Sequence, residues 1–146
     1  MVFSPTVMQM KTKVDELKSQ AESYGRDYST IDTVVTTTLS IAKTKEDAIK
    51  AFQKSEGVWS SHTGNLTQSQ SILDMALSQN LIGTPQEISE RLFELNSVGV
   101  QHLSIRGVAA DTTDECIEQW EMFASEVMPN FRSDLTVFCF LNSKKN

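Results

Sequence analysis

Two histidines and two cysteines are the chain's only imidazole and thiol groups, and their spacing builds no site. His62 stands in a Ser/Thr/Gly-rich stretch, and His102 lies in a segment of alternating polarity, where a histidine is read as satisfied locally. Cys116 and Cys139 have no Cys-x-x-Cys partner and no Cys/His spacing suited to zinc, so no metal site is expected and both read as free thiols of a reducing compartment. There is no G-x-S-x-G elbow, no P-loop, no G-x-G-x-x-G and no H-E-x-x-H. No residue is therefore assigned a catalytic role. What remains is cationic. Arg106 and Gly107 close an apolar-polar alternation just ahead of a helix start. At the carboxyl end of a parallel strand an arginine can hold a phosphate through two parallel N–H···O bonds while backbone donors assist. The competing reading is a surface arginine paired with Asp111 or Asp114. Lys43, in Ala42-Lys43-Thr44, holds the equivalent place after the first strand, either as a second phosphate or substrate contact or as a solvated lysine. Trp59, beside Ser60, Ser61 and His62, suits a substrate lid or a loop anchor equally well.

These side chains need elements to position them, and the periodicity supplies a series. Val7, Met10, Val14, Leu17 and Ala21 recur at spacings of three and four, an amphipathic helix over residues 7–24 with Gly25 where a helix stops. Residues 33–42 are dense in Val, Thr and Ile, whose stiff χ1 suits a pleated strand. Thr44 then caps a helix with Glu46 and Asp47 in its first turn. Residues 57–65 interrupt the pattern, 71–77 form a short helix, and Asn80-Leu81-Ile82-Gly83 breaks it again. Thr84-Pro85-Gln86-Glu87 is a capping box with proline at the first helical position, and Ile88, Leu92, Leu95 and Val98 form one face behind it up to Gly99. Residues 100–106 alternate as a second strand, with Leu103 and Ile105 on one side, His102, Ser104 and Arg106 on the other, and Gly107 ending it. Thr112 with Glu115 caps a last helix whose stripe is Ile117, Trp120, Phe123, Ala124 and Val127, stopped by Pro129. Two parallel strands joined by a helical crossover make an α/β fold. Leu135 to Leu141 is apolar and β-prone, and is expected to pair with a sheet edge, pack on the core or sit in a partner chain.

Composition bounds the function. With 146 residues, 39% apolar and 22% charged, the chain is in the range of one globular domain. Thirteen Lys+Arg against nineteen Asp+Glu give a net charge of −6, which opposes a polyphosphate partner while leaving room for a local pocket for one phosphate. No basic-then-apolar leader and no long apolar window are present, so no membrane partner and a cytoplasmic location are expected.

Several of these segments, taken in order, match one family. Gly25-Arg26-Asp27-Tyr28, the strand ending in Ala42-Lys43-Thr44 with Glu46-Asp47-Ala48 after it, Leu81-Ile82-Gly83-Thr84-Pro85-Gln86-Glu87-Ile88, Gly99-Val100-Gln101-His102-Leu103 and Phe123-Ala124-Ser125-Glu126-Val127-Met128-Pro129 resemble the luciferase-like monooxygenases. That family includes flavin enzymes and oxidoreductases using the deazaflavin F420. The resemblance covers about residues 5 to 132. It implies the C-terminal part of a (β/α)8 barrel over residues 1–132, with residues 33–42 as the seventh strand and 100–106 as the eighth; the C-terminal tail over 133–146 lies outside the resemblance. It also implies FMN or F420 as cofactor, a small-molecule substrate, and Arg106 with Gly107 as contacts to the cofactor phosphate or an anionic substrate group; Lys43 joins them as a cofactor-binding candidate by its place after the first strand. A whole barrel takes about 250 residues, so activity is expected to need the first six strands from a complementing N-terminal barrel chain or from self-association. The alternative expectation is a non-catalytic α/β module that self-associates through its C-terminal strand.

Overall fold

The computed structural model describes residues 6–55, 70–131 and 136–139. Helix α1 (Val7–Ser23) opens with a capping box between Thr6 and Gln9 and ends at Gly25, whose φ of 65° lies in the left-handed region. After a 3₁₀ turn at Tyr28–Thr30, strand β1 (Val34–Ile41) carries six β-branched residues in eight. Helix α2 (Lys45–Lys54) starts at Thr44, whose hydroxyl oxygen accepts from the Asp47 N–H at 3.2 Å. Helix α3 (Gln70–Gln79), strand β2 (Leu81–Gly83) and helix α4 (Pro85–Ser97) follow, then strand β3 (His102–Val108) and helix α5 (Thr113–Met122). The helical path goes on through a π turn (Phe123–Val127) and a 3₁₀ turn (Met128–Phe131) before strand β4 (Thr136–Cys139).

The four strands among the described residues are all parallel, in the order β2-β1-β3-β4. One face of the sheet carries Val35, Leu39, Ile41, Leu81, Leu103 and Ile105 into the main core. Met10 and Val14 of α1, Ile88, Leu92 and Leu95 of α4, and Phe123, Val127 and Phe131 close over it. At about 25 cal/mol per Å² this apolar burial is the largest favourable contribution to folding. Gly99 is needed here: its φ is 98°, and a Cβ would stand 3.1 Å from Val14 Cγ1, so α1 and the start of β3 approach as closely as a glycine allows. Ser40 and Ile82, paired in register, point to the opposite face. There Ala48 and Phe52 of α2, Ala76 of α3, Ile82 and Ala109 form a second, smaller cluster, and the Ser40 hydroxyl donates to the Ala48 carbonyl at 2.7 Å. Toward the N-terminal ends of β1 and β3 this face is less covered: Val34 is 54% exposed, and Thr36, His102 and Ser104 are only half-buried.

Four sequence expectations need correction. Leu81–Gly83 is a strand, not a break: three residues are too few to show a period. The Asn80 side chain prepares the pairing by accepting from the Thr38 N–H at 3.1 Å and donating to the Ala76 carbonyl at 3.0 Å. The sheet therefore has two short strands beside the two expected. Strand β3 begins two residues late, because the Gln101 and His102 N–H groups both donate to the Thr33 carbonyl, and it runs through Gly107 to Val108. Ile117 is 49% exposed, and Gln119 takes the buried place on α5 instead. Pro129 does not stop the helical path, which continues as a 3₁₀ turn to Phe131. Of the tail, residues 136–139 pair with the edge of β3 in parallel; its other residues, like Trp59, His62 and the 57–65 stretch, lie outside the described residues.

Candidate anion site at the strand ends

The geometry of β3 singles out Arg106. Thr37 pairs with Ile105 and the next β1 residue, Thr38, with Gly107, so Arg106 is the extra residue of a bulge. Bulges bend the strand and re-aim a side chain, and they are frequent beside active sites. Arg106 is exposed and has no hydrogen-bond or ion-pair partner among the described residues. The pairing with Asp111 or Asp114 does not occur. Asp111 is engaged by Lys54 at 3.4 Å, and Lys54 also reaches Glu115 at 3.6 Å. Gly107 adds a backbone with open space around its Cα, since a Cβ there would meet nothing within 4 Å. Lys43 is exposed just beyond β1 and is likewise without a described partner. Leu39 is level with Val108, so Lys43 stands past the end of the sheet while Arg106 stands short of it. The two cations are offset along the strands rather than abreast. His102 is held locally, its Nε2 3.4 Å from Asp32 Oδ1.

Beside this stretch, between α2 and α5 at the carboxyl ends of β1 and β3, lies a cavity of about 240 Å³. Its charged lining is Asp47, Asp111, Glu115 and Glu118 against Lys54. Four carboxylates facing one ammonium repel a phosphate, so the anion candidate is Arg106 and not this cavity. Lys54 is held above the usual lysine range, first by its hydrogen bond to Asp111 and then by the charge of Glu115. Glu115 lies below the usual carboxylate range, chiefly because the Asp111 N–H donates to it. Among the described residues no cluster of His, Cys, Asp and Glu could hold a metal ion.

One side chain organises the strand ends. Past Leu39 and Val108 the β1-β3 ladder opens, and the Gln119 amide fills the gap: its Oε1 accepts from the Ile41 N–H at 3.0 Å and its Nε2 donates to the Ala109 carbonyl at 2.7 Å. Sequence reasoning missed Gln119, although its position four and eight residues before Phe123 and Val127 marks it as a polar residue on an apolar face.

A second anchor is ionic. Glu87 closes the capping box of α4 by accepting from the Thr84 N–H, and it takes the Lys45 ammonium at 2.8 Å, tying α4 to the start of α2. The hydrogen bond from Lys45, followed by that from Thr84, holds the Glu87 carboxyl below its usual range. A depressed folded-state pKa stabilises the fold above the unfolded value and loses that contribution as pH falls through the folded one. Urea midpoints measured from pH 7 down to pH 3 are therefore expected to fall less steeply for Glu87→Gln than for wild type. Parallel slopes would show that Glu87 is not linked to folding.

No known family profile matches the sequence, and no curated protein sequence matches it. Solved structures do. An F420-dependent secondary alcohol dehydrogenase, solved with an F420-acetone adduct, superposes with a TM-score of 0.63 at 15% identity, over 89% of this chain and 42% of that one. The coenzyme F420-dependent tetrahydromethanopterin reductase from Methanopyrus kandleri gives 0.57 at 19% identity, over 87% of this chain and 43% of that one. The chain thus spans less than half the length of these structures. At such identity the likeness speaks for the fold: parallel strands, crossover helices and partial coverage together make this chain the C-terminal part of a (β/α)8 barrel.

Proposed function

We propose that the chain supplies the last strands and part of the mouth of an F420- or flavin-dependent oxidoreductase barrel of the luciferase-like kind, acting on a small molecule. The observation that carries this reading is Arg106, an unpartnered guanidinium displaced from the ladder by a bulge near the carboxyl end of β3. Barrel enzymes place their chemistry at that end. Such an arginine fits a phosphate-bearing cofactor, to which it donates two parallel N–H···O bonds with the Gly107 backbone approaching from beside it. Lys43 adds positive charge further out. When bound, the deazaflavin or flavin supplies the redox chemistry, and this chain's part is to bind and orient it. Gln119 and Glu87 act as positioning residues, keeping the strand ends and the two helix starts in place. Both likenesses are to F420-dependent enzymes, which supports F420 ahead of FMN. The remaining strands come from another polypeptide or from a second copy.

The test is to titrate the chain with F420 and with FMN, alone and together with a candidate N-terminal barrel chain. Saturable F420 binding that tightens when the barrel is completed is the expected result, and no binding in any combination contradicts the reading. A second reading, a non-catalytic α/β interaction module, is favoured by the pairing of residues 136–139 with β3.

A further inference from the structure

Strand β4 is the feature that the proposed function does not absorb. From β3 the chain passes through α5 and returns to lie parallel beside β3, with His102 level with Thr136 and Ile105 level with Cys139. In a closed eight-stranded barrel the neighbour of the last strand on that side is the first strand. With β1 and β3 as the seventh and eighth strands, β4 stands in the first strand's slot. An uncovered edge there would present a row of unpaired N–H and C=O groups to any extended chain. Among the described residues the pairing runs from His102 to Ile105.

We infer that residues 136–139 are a built-in cap on the barrel-closing edge, and that the chain's own tail and an incoming parallel strand compete for the same β3 backbone. The identification of the slot rests on the barrel reading above; the cap itself is a backbone pairing that needs no cofactor. Its consequence is that a complementing barrel chain docks against β3 only after β4 has left.

Backbone hydrogen exchange tests this directly on the whole chain. The β3 amides between His102 and Ile105 that face β4 are expected to be protected. Deleting residues 132–146 is expected to raise their exchange at least tenfold while β1 keeps its protection, and a peptide with the sequence of residues 135–141 is expected to restore it. Because the shortened chain could lose its fold, Phe138→Pro in the full chain gives a second reading: the His102 N–H is given to Thr33, so Leu103 and Ile105 face β4, and in this register the Phe138 N–H is a donor directed at β3. Phe138→Ala keeps that donor and is expected to leave the protection in place. Selective loss in β3 supports the cap. Unchanged protection in both the deletion and Phe138→Pro, or a loss spread equally over β1 and β3, overturns it. F420 takes no part, so failure of the cofactor titration and failure of the cap are read separately.

Discussion

Replacing Gln119 by leucine is expected to lower the unfolding free energy by about 2–4 kcal/mol, since each buried backbone group left unpaired costs roughly 1–3 kcal/mol. The Ile41 N–H and the Ala109 carbonyl would both lose their partner at once. Neither can turn to the other strand, because the ladder between β1 and β3 has already opened after Leu39 and Val108. Gln119→Met, nearly the same in length and unable to make either bond, is expected to cost as much. That equality would assign the loss to hydrogen bonding and not to volume. Urea denaturation of the three proteins measures it, and a loss below about 0.5 kcal/mol, smaller than the net worth of one typical hydrogen bond, would show that the strand ends do not depend on this amide.

Phe52→Ala is expected to have the larger effect, about 3–5 kcal/mol for truncating a phenylalanine in a core. Phe52 has no exposed surface and is the largest buried side chain of the second cluster, whose other buried members are Ala48, Ala76, Ile82 and Ala109, with Ile49, Leu73 and Leu77 partly buried against it. The three alanines have little with which to fill the space. Helix α2 would then loosen from α3 and β2, taking with it the Lys54 contact to Asp111 and the wall of the cavity at the strand ends. Thermal unfolding together with proteolysis of α2 checks this. A variant of near-wild-type stability would show that the second cluster is not part of the cooperative core.

Much of this architecture is legible in the residues, and the lapses have physical causes. Thr44, Thr84 and Thr112 are readable as caps because the partner of each lies only three residues on, in Asp47, Glu87 and Glu115. The long strand β1 is readable from its β-branched run. Strand β2 is not, since its three residues are defined by pairing with β1 rather than by their own pattern. The exchange of Ile117 for Gln119 on the buried side of α5 follows from the open ladder beside it, which is a tertiary fact. Arg106 is legible as an arginine at a strand end; that it leaves the ladder as a bulge depends on the register with β1, which no local pattern encodes. Lys54 carries no local signal because its partners Asp111 and Glu115 are far along the chain.

In the proposed function Arg106 and Gly107 receive the phosphate of a redox cofactor. The most direct measurement is a titration of the isotope-labelled chain with F420, following the Arg106 guanidinium and the Gly107 amide by nuclear magnetic resonance. Saturable shifts centred on these two residues are predicted, weakened about tenfold in Arg106→Ala, the loss of about 1.4 kcal/mol that a single charge-assisted contact is worth. Shifts that gather elsewhere, or an affinity equal in Arg106→Ala and wild type, would contradict it.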